Sequence, residues 1–122
     1  MAARGRGREI AVWVVSGLLA LLFVFSGGTK LAGMPMHVEH FAHWGYPDWF
    51  RLVVGAVEVV FGVGLLLPRV AFVAAIVLCV NMAGAVYTEL FRGDPATALF
   101  PLVLLVLLVG VASVRRSPRM PA

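Results

Sequence analysis

The stretch LVVGAVEVVFGVGLLLPRVAFVAAIVLCVNMAGAVYT, residues 52–88, decides the fold. It holds two apolar runs, 52–68 and 70–88, parted by Arg69; Glu58 is the one charged residue in the first, and the second has none. Each approaches the ~20 residues an α-helix needs to cross ~30 Å of hydrocarbon at ~1.5 Å per residue. Where no water reaches the backbone, it must satisfy its own hydrogen bonds, so runs of this kind become helices. The alternating polarity of barrel strands is absent. Pro68 and Arg69 leave room only for a tight turn, so the two runs fold back as neighbours.

The rest of the chain repeats the pattern. Residues 10–29 and 95–114 carry no charge. Arg92-Gly93-Asp94-Pro95 separates the last two runs, with glycine suited to end one helix and proline to begin the next. Spans are expected at 10–31, 50–67, 70–91 and 96–114, with cytoplasmic tails at 1–9 and 115–122. No repeat or low-complexity segment divides them. The expectation is a single membrane domain, all-α, built as a four-transmembrane-helix bundle with a short amphipathic segment in the first extracytoplasmic loop.

Composition agrees with lipid as the solvent. Of 122 residues, 61% are hydrophobic and 13% charged, and the mean hydropathy is +0.98. A soluble domain of this length needs far more polar surface. The net charge of +4 does not point to nucleic acid, because the arginines flank the apolar runs instead of lining a groove. The apolar run at the start exceeds the ~7–15 residues of a signal-peptide core and no A-x-A-like site follows, so a retained helix is expected. Cys79 is the sole cysteine, which excludes an intramolecular disulfide and C-x-x-C exchange chemistry.

Orientation follows from the basic residues. Arg4, Arg6, Arg8, Arg69, Arg115, Arg116 and Arg119 fall on one side, and Lys30, Arg51 and Arg92 on the other. The richer side is cytoplasmic by the positive-inside rule, which places both termini there in a multi-pass protein of the cell (inner) membrane. The loop with Trp44, Tyr46, Trp49 and Phe50 then lies at the outer interface, where aromatic rings settle.

Helical spacing turns the few polar residues into faces. Ser16, Phe23, Ser26 and Lys30 share one side of the first span. Arg51, Gly55, Glu58 and Gly62 line up on the second, and Leu78, Asn81, Ala85 and Thr88 on the third. Ala71, Ala75, Cys79 and Ala83 form an opposite row, which would place the third span centrally. A carboxylate within a span costs roughly 2.5–3.5 kcal/mol on insertion scales, so Glu58 should face the interior. It then either takes part in ligand or proton chemistry, or stays protonated, or is a structural partner of Lys30 or Asn81. Counting from Phe50, Glu58 lies about 12 Å below the start of its span, at a depth Asn81 matches. Lys30, Arg51, Glu58, Asn81 and Glu89 are therefore the candidate lining of one outward-facing polar pocket.

The stretch HVEHFAHW suggests a short helix started by Pro35 and stopped by Gly45. Glu39, His40 and His43 fall on one face, and Val38, Phe41 and Ala42 on the other. These are the candidates for a metal site, but they match neither H-E-x-x-H nor H-x-x-E-H and lack a fourth ligand. An interfacial amphipathic helix is the expectation, with no metal. No histidine lies within a span, so haem between helices is unsupported.

SGGTKLAG at the end of the first span, the loop ending HFAHWGYPDWF and VVGAVEVVFGVGLLLP in the second resemble the DoxX-like family of small four-helix membrane proteins. The similarity covers roughly residues 11–91. Lys30, the Gly45-Tyr46-Pro47 turn and the Gly55-x-x-Glu58 stripe match that pattern. Tyr87-Thr88-Glu89 departs from it where many relatives carry a histidine. The resemblance implies an accessory subunit of a membrane redox system, quinone- or thiol/sulfur-linked, with an outward pocket around Glu58. The alternatives are a non-catalytic assembly or stabilising factor for a partner protein, and a small carrier. Activity as an enzyme on its own is not expected. No intrinsic cofactor is expected; a quinone is the candidate ligand. The expected partners are the lipid bilayer and either a second copy or another membrane protein, and not nucleic acid.

Overall fold

A computed structural model describes residues 2–115, with side chains from residue 7 onward. Arg116 and Arg119, and the side chains of Arg4 and Arg6, lie outside the described residues. Helices account for nearly all of the described chain, with no strand among those residues: α1 (Ala2–Leu31), α2 (Pro35–Trp44), α3 (Asp48–Gly64), α4 (Ala71–Phe91) and α5 (Leu99–Arg115). Among the described residues three segments are long and apolar enough to cross a membrane, Gly7–Leu31, Ala71–Phe91 and Pro95–Arg115. At 17 residues α3 is shorter than these.

The boundaries follow local chemistry. No proline or strong stop lies between Ala2 and Ile10, so α1 runs back through the expected tail. Pro35 opens α2 and Gly45, at φ 86°, closes it in the left-handed region that glycine enters without strain. α3 ends at Gly64, three residues before the expected end of its span. The amides of Leu66 and Leu67 bond to carbonyls three residues back, a tightening that comes just before Pro68, where the α conformation is disfavoured. Asp94 caps a 3₁₀ turn, Pro95–Ala98, accepting from the Ala96 amide at 3.1 Å, and this turn leads into α5.

The helices pack as two close pairs, α1 with α3 and α4 with α5, joined by lighter α3–α4 and α1–α5 contacts. The third span is therefore not central as expected; α4 is chiefly the partner of α5. Glycine sets the α1–α3 approach. A Cβ on Gly27 would lie 2.5 Å from the Gly55 carbonyl oxygen, and one on Gly62 would lie 3.0 Å from Phe23 Cβ. The space beside Glu58 on its own face is thus filled by α1. Phe23, Leu65, Ala74, Leu78, Leu104 and Leu108 form the apolar core between the pairs.

At the end holding the chain termini the pairs are drawn together. Arg115 reaches Glu9 at 3.5 Å and lies over the Trp13 ring at 4.2 Å, and Gly64 packs on Ala74 in the α3–α4 connection. At the other end the pairs diverge, and α2 lies across the gap. Phe41 is the buried residue of α2; Val38 is half-buried and Ala42 is exposed, so its inner face is narrower than expected.

Candidate functional site

The divergence leaves a cavity of about 1080 Å³ between the helix pairs, beneath α2. Its walls are mostly apolar, with Phe25, Val53, Val57, Ile76, Val80 and Phe100 among them. Several of these are also exposed at the protein's flank, Val80 at 68% and Phe25 at 71%, so the cavity opens sideways where acyl chains would lie.

A compact polar cluster interrupts this surface. Glu58, 3% exposed, is carried to the wall by the turn of α3 that packs on α1. Its Oε1 accepts from Lys30 Nζ at 3.0 Å and from Ser26 Oγ at 3.0 Å; its Oε2 accepts from Asn81 Nδ2 at 3.1 Å. Lys30 also donates to Ser26 Oγ at 2.7 Å. A buried carboxylate is tolerable when opposite charge and donors surround it, and here α1 supplies two donors and α4 the third. The donor valences are not exhausted. The Lys30 ammonium has three N–H groups and two protein acceptors, and the Asn81 amide has two N–H groups and one.

Lys30, Glu58, Asn81 and Glu89 all line the cavity. Glu89 sits near α2, beside Trp44 and Gly93. Arg51 does not join them. Though buried, its guanidinium turns to the Lys30 carbonyl at the C-terminal end of α1 and to Asp48 at 3.6 Å. The negative dipole end of α1 holds it there, at a carbonyl that also accepts from the Gly33 amide. Glu39, His40 and His43 are all exposed on α2, and His40 stacks on Trp44. Among the described residues no three His, Cys, Asp or Glu side chains gather as a metal group.

The structure adds residues that the sequence reading passed over. His37 faces the cavity and its Nε2 lies 2.8 Å from Thr29 Oγ1. Burial pushes the His37 imidazole below its ordinary value, and the positive charge of Lys30, His40 and Arg51 acts in the same direction. On the far wall, the hydroxyls of Tyr46 and Thr88 meet at 2.8 Å, and Arg92 donates to the Trp44 carbonyl at 2.8 Å, so α2 is tied to both helix pairs. The available signal was spacing: His37, Phe41 and Trp44 lie at i, i+4 and i+7, one face of α2.

The sequence profile of the DoxX-like family matches residues 14–111, which contain the whole cluster. The chain belongs to the DoxX-like family. Among curated proteins this DoxX-like chain is similar to the uncharacterized protein YdgD of Bacillus subtilis (strain 168), with 29% identity over 97 residues that cover 76% of this chain and 85% of YdgD. No solved structure matches it. Family membership and the three long apolar helices make the DoxX-like chain a membrane protein.

Proposed function

We propose that this protein crosses the cell (inner) membrane four times, with both termini in the cytoplasm, and serves a membrane redox system as an accessory subunit that holds a quinone beside Glu58. α3 is the fourth span in this reading. Its 17 residues give about 26 Å at ~1.5 Å per residue, and the apolar residues 65–67 extend it toward the ~30 Å needed. The basic residues concentrated on the terminal side support the orientation.

The observation that carries the ligand class is the pairing of a large, laterally open apolar cavity with one compact donor cluster. A quinone is an apolar molecule with hydrogen-bonding oxygens on its head. The remaining N–H groups of Lys30 and Asn81 suit such an oxygen, and the valine and phenylalanine walls suit ring and tail. Lys30 is balanced by Glu58, so the cluster favours a neutral head over an anion. The protein's part is to bind and present this molecule, while electrons pass through a partner subunit. A purely stabilising role leaves the cavity without an occupant.

The test is titration of the purified protein, in nanodiscs free of quinone, with menadione. Saturable 1:1 binding, weakened about tenfold by Glu58→Gln, is expected for loss of a charge-assisted network. Non-saturating partition equal to that of empty nanodiscs overturns the proposal.

A further inference from the structure

We propose that His37 is a second polar contact of this cavity and that it makes the site select the reduced, dihydroxy form of its ligand. The inference rests on the cavity being the ligand site and adds which redox form is held.

The argument starts from a single proton. Thr29 Oγ1 has one hydrogen, and it is directed to the Ser26 carbonyl at 2.8 Å. Toward His37 Nε2, also at 2.8 Å, the hydroxyl is therefore an acceptor, and Nε2 must carry the donating hydrogen. An uncharged imidazole protonated on Nε2 has an acceptor lone pair on Nδ1. Burial, with Lys30, His40 and Arg51 as the neighbouring positive groups, keeps this imidazole uncharged at neutral pH. Among the described residues Nδ1 takes no hydrogen-bond partner, while the side chain lines the cavity.

The two polar contacts therefore differ in character. Lys30 and Asn81 present donors, which a carbonyl or a hydroxyl oxygen can accept. His37 presents an acceptor, which only a hydroxyl can satisfy. Both are positioned by α1: Ser26 holds Glu58, and Thr29, about 4.5 Å further along the helix axis, holds His37. Lys30, Asn81 and His37 line the same cavity, so one ring with an oxygen at each end can address both contacts. A quinone would set its second carbonyl against the Nδ1 lone pair, whereas the hydroquinone sets an O–H there. No electron transfer is required of this chain; the selection is one of binding.

The experiment compares menadione with menadiol, the same ring in its two redox forms, by calorimetric titration of the nanodisc-embedded protein under argon. One hydrogen bond gained on one form predicts about fivefold tighter binding of menadiol. His37→Phe and, independently, Thr29→Val should abolish that preference, the second while leaving the imidazole in place. Glu58→Gln should weaken both forms together and keep the ratio. Equal binding of the two forms by the unaltered protein, or a preference that survives both His37→Phe and Thr29→Val, overturns this inference and leaves the quinone site standing. Binding of neither form overturns both.

Discussion

Gly27→Ala is the sharpest test of the packing that builds the site. The added methyl would lie 2.5 Å from the Gly55 carbonyl oxygen, 2.8 Å from Val59 Cγ2 and 2.9 Å from Glu58 Cβ. Real Cβ atoms essentially never come within 3.0 Å of a neighbour, so α1 and α3 must separate by at least 0.5 Å. The obstacle is backbone, which cannot swing aside. Overpacking of this kind costs about 1–3 kcal/mol, and the better helix propensity of alanine returns about 1. Since Glu58 Cβ is among the atoms displaced, the bonds from Ser26 and Lys30 stretch as well. A net loss of about 1–2 kcal/mol is expected. The adjacent Gly28 is the internal control, because nothing lies within 4 Å of a Cβ built there. Thermal unfolding in detergent, followed by far-ultraviolet circular dichroism, compares the two. Gly27→Ala at or above the stability of Gly28→Ala would refute the close approach of α1 and α3.

Glu58→Leu alone strands the Lys30 ammonium, whose side chain is only 13% exposed, and should cost about 3–5 kcal/mol. Glu58→Leu combined with Lys30→Met should recover most of that loss in guanidinium unfolding; additive losses would mean that the pair is not coupled. His37 is held below its ordinary value near 6.5, so on acidification the unfolded chain binds that proton first. Its contribution to stability is complete above about pH 6.5 and is lost as pH falls through that value toward the folded one. His37→Phe should flatten this limb of a stability–pH curve, and an unchanged limb would assign the effect elsewhere. Reporter fusions after Arg116 should read cytoplasm, and fusions in 42–45 the outer side; the reverse pattern defeats the basic-residue argument.

Much of the architecture was legible because lipid-facing helices leave a coarse signal. Runs without charge, such as 70–88, admit few readings. The Glu58 cluster was legible for a related reason: a rare carboxylate in an apolar run must find donors, and Lys30 and Asn81 were the ones at its depth. Arg51 misled because its position on the Glu58 stripe gives its register but not its reach. A long side chain at a helix end finds the carbonyls of the neighbouring helix, and one of these, at Lys30, holds it. His37 was passed over because the ligand candidates were Glu39, His40 and His43, on the exposed face of α2, whereas His37 is half-buried and bonds to Thr29 at the cavity wall. The end of α3 at Gly64 depended on the turn ahead of Pro68, a local backbone choice that hydropathy does not encode.

The Lys30–Glu58 pair also has an electrical consequence. A potential of ~100 mV acts on one elementary charge carried fully across the membrane with about 2.3 kcal/mol. Two opposite charges 3.0 Å apart span about a tenth of a ~30 Å core, so even a fully aligned pair feels only about 0.2 kcal/mol. With α3 across the bilayer as proposed, a neutral ligand entering from the side moves no net charge through the field. Its occupancy would then be the same in an energised and a collapsed membrane, leaving this protein blind to the voltage that its surroundings build.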